Sequence, residues 1–210
     1  MSSSKEGILT RIRTALVRKD PMPFPGEDLK GNVYRKPEES GAVLFVERFQ
    51  AVGGNFIYSE SAKEAVEILK ALVAEKKWRN LHCWDPELQD IFAHSDFREC
   101  RIGAILDKAD AGITRCEALI ARTGSILLSS KLSGGRTLPI FPPVQIVFAE
   151  AEQVVNDIDE GMAIIRRKYR GDMPSMINLA TGPSRTADIE KTLVLGAHGP
   201  GEVYVFLIDG

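Results

Sequence analysis

Two short segments near the C-terminus concentrate the residue types that do chemistry. Thr181-Gly182-Pro183-Ser184-Arg185-Thr186-Ala187-Asp188-Ile189-Glu190 and Gly196-Ala197-His198-Gly199-Pro200-Gly201 set hydroxyls, a guanidinium, carboxylates and an imidazole among glycines and prolines. Polar turns of this kind, mounted on rigid elements, are where folds keep their binding and catalytic groups. Ser184 or Thr186 can cap a helix carrying Ile189 and Leu193, whose first N–H groups have no internal partner and suit an anion. Arg185 offers a planar positive fork for phosphate or carboxylate. A plainer reading has Ser184 only capping and Arg185 only pairing with Asp188 or Glu190. Neither segment is a P-loop, and G-x-G-x-x-G does not occur elsewhere.

His198 sits between small residues, where an imidazole can approach a ligand, and imidazole is the side chain that ordinarily changes charge near neutral pH. His198 and Asp188 are the candidate catalytic groups; the alternative for each is a structural role. Two further turns could contribute. Thr123-Gly124-Ser125 reads as a helix-to-strand turn with Gly124 closing the helix. Gly134-Gly135-Arg136 reads either as a lid over an acidic ligand or as a plain surface loop. The candidate ligand contacts are thus Gly182, Ser184, Arg185, Thr186, His198, Gly199, Thr123, Gly124 and Arg136. The spatial expectation is that the two C-terminal corners fold together around a shared negatively charged guest.

The elements that must position these groups alternate between helix and strand patterns. Residues 1–36 read as an amphipathic helix with a Pro-rich linker, and residues 37–210 as an α/β domain. In the first part Ser3 and Glu6 have capping-box spacing, and Ile8, Leu9, Ile12, Ala15 and Leu16 share one face. That helix either packs on its own domain or docks elsewhere. Beyond it, helices are expected over Gly41–Val52, after Ser61, from Pro86 to Ala93, from Thr114 to Gly124 and from Ala151 to Tyr169. Strands are expected at 55–59, 81–84, 126–128, 144–148, 176–180 and 203–208. Such alternation implies a mainly parallel sheet flanked by helices, with ligands beyond the carboxyl ends of its strands.

Composition limits the function. The 210 residues carry a formal net charge of −2, which gives no general attraction to nucleic acid. No apolar run reaches membrane-span length, and the N-terminus lacks a signal-peptide core, so a cytoplasmic protein is expected. Cys83, Cys100 and Cys116 are dispersed, too few for an ordinary iron–sulfur cluster and without zinc spacing. Buried, unreactive thiols and no metal are expected.

The motifs at 181–190 and 195–201, with Ala-Arg-Thr-Gly-Ser at 121–125, Gly-Gly-Arg at 134–136 and Gly-Ile-Thr at 112–114, resemble the lactate utilisation protein C family. These are stand-alone members of the LUD-domain group, and the likeness runs from about residue 40 to the C-terminus. The resemblance implies a fold similar to ribose-5-phosphate isomerase, glucosamine-phosphate deaminase and CoA-transferase domains. It also implies a part in oxidising L-lactate to pyruvate beside two iron–sulfur sister proteins, with the clusters in those partners and no cofactor in this chain. It transfers no catalytic residue. Arg122 departs from the family, which often has an acidic residue there. The alternatives are a stand-alone enzyme acting on a sugar phosphate or acyl-CoA, and a regulatory or assembly module.

Overall fold

The computed structural model describes residues 4–17, 41–98, 100–101, 106–186 and 194–209. The chain divides into two compact units, Met1–Arg35 and Lys36–Gly210. The first contains α1 (Ser4–Val17). Its expected Ser3 cap and the Pro-rich linker lie outside the described residues. The second unit carries the candidate site.

Three helices and two strands fall where local signals put them: α2 (Gly41–Ala51), β1 (Asn55–Ser59), α3 (Ala62–Lys76), β2 (Leu81–Cys83) and α4 (Pro86–His94). Ser61 Oγ accepts the Glu64 N–H at 3.2 Å, which satisfies a donor that the first turn of α3 leaves open. Asp85 Oδ1 does the same for α4, accepting the Glu87 and Leu88 N–H groups at 3.1 Å each. The rest of the chain supplies β3 (Cys100–Arg101), β4 (Ala111–Arg115), β5 (Ala118–Ile120), β6 (Ser125–Ser129), β7 (Val144–Glu150) and β8 (Val154–Val155). It ends with α5 (Ile158–Lys168), β9 (Ile177–Ala180), β10 (Arg185–Thr186), β11 (Val194–Leu195) and β12 (Glu202–Ile208).

Six strands form one all-parallel sheet in the order β1-β12-β7-β4-β2-β3. Along β12, Tyr204, Phe206 and Ile208 face the core built with α3 and α4, whereas Val203, Val205 and Leu207 face the other side. The expected α/β architecture is present, with one difference. The second face of the parallel sheet is covered by α2, through Phe45 and Phe49, and by a second sheet of order β8-β5-β6-β9. Helix α5 then packs Ile165 against the outer face of that second sheet, on Ala118, Ile120 and Leu127. Full burial of side chains such as Phe45, Phe49 or Leu119 contributes about 1.5–3 kcal/mol each.

Two expected helices are replaced. Thr114 to Gly124 forms the end of β4, then β5 and a turn, because the segment lies between the two sheets and Cys116 to Ala121 is buried throughout. A helix there would leave no strand to pair with both β6 and β8. The long helix expected from Ala151 is broken into a 3-10 turn at Ala151–Gln153, the strand β8 and then α5. Val154 and Val155 pair with Leu119 and Ile120, so edge pairing wins over helical periodicity. Strand β9 is not covered on both faces: its Leu179 is exposed.

Candidate functional site

The chain leaves β9 at Ala180, turns at Gly182 and enters β10, which pairs antiparallel with β11. Arg185 and Thr186 are therefore strand, and the expected helix cap at Ser184 is replaced by the start of a ribbon. Asp188, Ile189, Glu190 and Leu193 lie outside the described residues. The Ser184 N–H donates to the Pro200 carbonyl at 2.8 Å, and the Gly196 N–H donates to the Ser184 carbonyl at 2.9 Å. A Cβ on Gly199 would lie 3.2 Å from the Ser184 Cβ. The two corners distant in sequence are thus adjacent in space.

Together they form the rim of a cavity of about 290 Å³ to which Gly182, Ser184, His198, Gly199 and Pro200 contribute. Ile126 and Leu128 of β6 face Asn178 and Ala180 of β9 along one wall. Gln145 and Val203, neighbours in register near the starts of β7 and β12, form the other, and Pro139 and Ile140 complete the enclosure. The cavity therefore lies between the two sheets at the amino ends of the parallel strands, not beyond their carboxyl ends as expected. At the carboxyl ends, where connections from β2 and β4 depart in opposite directions, a hollow of about 320 Å³ includes Arg115 and Lys168. Both cations are already committed there. Arg115 pairs with Asp85 at 3.0 Å and also with Glu87, and Lys168 pairs with the buried Glu117 at 2.9 Å.

Gln145 is a site residue that the motifs did not point to. It is 3% exposed, its Nε2 donates to Thr114 Oγ1 at 2.8 Å, and its Oε1 is buried without a partner. A signal was present in the sequence: one amide in the otherwise apolar run Val-Gln-Ile-Val-Phe-Ala of β7. A polar group buried in such a strand needs a partner or a purpose. Asn178, Pro139 and Ile140 were also missed, and nothing local marks them.

Several expected contacts serve the architecture instead. The Arg185 guanidinium turns from the cavity, and its Nη2 donates to the Val52 carbonyl just past the end of α2. A cation is well placed there, because the last carbonyls of a helix carry partial negative charge. Gly182, at φ +70°, sits against the same carbonyl; a Cβ would approach Val52 O to 2.6 Å. Gly124, at φ +61°, abuts the Arg48 and Phe49 backbone, where a Cβ would lie 2.4 Å away. Thr123 joins a hydroxyl chain: Ser125 Oγ donates to Thr123 Oγ1 at 2.7 Å and lies 2.7 Å from Thr181 Oγ1. Arg136 donates to Ser175 Oγ and its carbonyl, both at 3.3 Å. The loops after β6 and β9 leave opposite ends of an antiparallel pair, which is why Arg136 does not join Ser184. Arg185, Thr186, Thr123, Gly124 and Arg136 are absent from the cavity lining.

The LUD domain family profile matches residues 43–208, most of the chain. The chain belongs to the LUD domain family. The lactate utilization protein C of Geobacillus kaustophilus is 30% identical over 165 residues, covering 75% of this chain and 64% of that protein. That of Bacillus licheniformis is 35% identical over 105 residues, covering 49% and 44% respectively. This chain therefore spans less than two thirds of these relatives. A crystal structure of a DUF162 family protein from Deinococcus radiodurans has the same fold, with a TM-score of 0.59 at 23% identity, covering 81% of this chain and 99% of that one.

In this LUD domain, Cys83 and Cys116 are buried and Cys100 is half-buried. Burial pushes the Cys83 thiol up to about 12 and raises that of Cys116 as well, so neither is a ready nucleophile. Among the described residues, no group of three His, Cys, Asp or Glu side chains is placed to hold a metal ion. No helix among them is long and apolar enough to cross a membrane. Arg122 pairs with Asp157, the N-cap of α5, and that hydrogen bond holds the Asp157 carboxyl below its usual range. Arg122 thus forms a structural ion pair at the α5 cap.

Proposed function

We propose that this LUD domain takes part in lactate utilisation as the member of an L-lactate-oxidising system that carries no iron–sulfur cluster, and that its inter-sheet cavity binds a small carboxylate. The clusters belong to sister proteins, and the system is cytoplasmic. The observation that carries the reading is the convergence of Gly182–Ser184 and His198–Pro200 on one cavity, in a chain whose relatives bear the name lactate utilization protein C. Donors among the lining residues, namely the Ser184 hydroxyl and a ring N–H of His198 at the rim and the Asn178 amide in the wall, suit a carboxylate. Among the described residues, no lysine or arginine lines the cavity. Among these described residues a doubly charged phosphate ester finds no cationic partner, and the neutral donors favour a carboxylate over a sugar phosphate.

Deletion of the gene, with no second copy present, is expected to abolish growth on L-lactate while leaving growth on glucose intact. Unimpaired growth on lactate overturns the role. Co-purification of the tagged native protein is expected to bring iron–sulfur proteins with it. Titration of the full chain with L-lactate tests the cavity, and Ser184→Ala and His198→Ala are each expected to weaken binding about fivefold or more.

A further inference from the structure

We infer that the ligand of the inter-sheet cavity is a monocarboxylic acid with an aliphatic tail of about four to seven carbons, larger and more apolar than lactate. This rests on the proposed function, because it takes the donors of the cavity to hold a carboxylate.

The cavity is too large and too apolar for a three-carbon acid to fill. Its volume of about 290 Å³ equals the liquid volume of about ten waters. L-Lactate displaces roughly half of that water. The remainder stays against side chains that form no hydrogen bonds. Ile126 and Ala180 stand opposite each other in register on the β6–β9 wall, and Val203 lines the other wall. Pro139 and Ile140 complete the enclosure, and Ile140 is 38% exposed, apolar surface that an occupant would cover. Confined water needs about two to four polar partners, so its release from such a lining favours an apolar group in its place.

The polar side chains are few. Ser184 and His198 stand at the rim, and Asn178 lies in the wall opposite Leu128. Gln145 is 3% exposed and its Nε2 already donates to Thr114 Oγ1 at 2.8 Å. A small set of donors beside a mainly apolar wall suits an amphiphile, with its head on the donors and its tail on the wall. A dicarboxylate would set its second charge against Ile126 and Val203, and no cation among the described lining residues compensates it. One carboxylate and one aliphatic tail satisfy both parts of the cavity.

The test is isothermal titration of the full chain with the straight-chain acids from acetate to decanoate, with L-lactate and with 1-hexanol. Wild type and Ala180→Phe are compared, with folding of the variant checked by thermal melting. Each buried methylene is expected to tighten binding about three- to fourfold, so that hexanoate binds about 30-fold more tightly than propionate. The gain should stop near octanoate, where the tail outgrows the cavity, and L-lactate should fall close to propionate. Ala180→Phe sets a ring in the space of the tail and is expected to bring hexanoate within about threefold of propionate. Affinity that does not rise with chain length, or L-lactate binding more tightly than hexanoate, overturns the inference and leaves the carboxylate site standing. An undiminished chain-length gain in Ala180→Phe also overturns it, because the tail then lies elsewhere. 1-Hexanol binding as tightly as hexanoate overturns the carboxylate reading and leaves only the apolar cavity. Binding of none of the acids overturns the carboxylate site and the inference with it. Should Ala180→Phe fail to fold, the wild-type series decides alone.

Discussion

The Ser184 N–H donates to the Pro200 carbonyl at 2.8 Å, so main-chain atoms alone tie together the two glycine-rich corners. The Ser184 hydroxyl is left available to the cavity that this tie creates. Replacing it removes chemistry without removing the tie. Ser184→Ala is expected to stay within about 0.5 kcal/mol of wild-type stability in urea titration, while weakening carboxylate binding.

The adjacent residue behaves in the opposite sense. Arg185 reaches the Val52 carbonyl and not the cavity. Arg185→Ala is expected to cost about 1 kcal/mol of stability, the worth of an exposed charged cap. Its effect on ligand affinity should stay under about twofold by titration. A large loss of affinity with unchanged melting would return Arg185 to the binding site.

Gly124 packs its backbone closely against α2. Gly124→Ala combines a φ of +61° with a Cβ placed 2.4 Å from helix backbone that cannot yield. A loss of about 3 kcal/mol or more is expected, read from the denaturation midpoint or from failure to accumulate as folded protein.

Glu117 tests the ion pairs at the carboxyl end of the sheet. Its side chain is fully buried, accepting from Lys168 at 2.9 Å, from the Tyr169 hydroxyl at 2.7 Å and from Ser129. Lys168→Met leaves that carboxylate without its cation and is expected to cost about 3 kcal/mol in urea unfolding. Adding Glu117→Gln to Lys168→Met should recover part of it, because the uncompensated charge is then gone.

Acid stability should report the Arg122–Asp157 pair. The Asp157 carboxyl is held below its usual range by the Arg122 hydrogen bond. In the unfolded chain it returns to about 3.9. Because the folded value is the lower one, the pair's contribution is fully present above about pH 4 and is lost as the pH falls through the folded value. Thermal melting from pH 7 to pH 2.5 is expected to drop less below pH 4 in Arg122→Met than in the wild type. Parallel curves would show that the pair contributes nothing.

Legibility followed the range of the forces involved. Helices α2, α3 and α4 could be read because caps such as Ser61 and Asp85, and stops such as Gly53-Gly54, act within a few residues. The segment after Thr114 misled because Thr114 and Glu117 have the spacing of a capping box. Glu117 instead turns inward to Lys168 and Tyr169, partners from α5 and its end that no local pattern reveals. The break at Val154-Val155 has the same origin, since the partner strand, β5, is far away in sequence.

The amino-acid order alone determined the α/β character, the early helices and the pair of polar corners, each of which depends on neighbouring residues. Only tertiary packing decided which groups face the cavity. It turned Arg185 toward Val52, sent Arg136 to the other end of β9, and brought Gln145, Ser184 and His198 to the lining of one cavity. The reason is geometric: a side chain's direction is set by strand register and by the backbone it meets, and both come from segments remote in the chain.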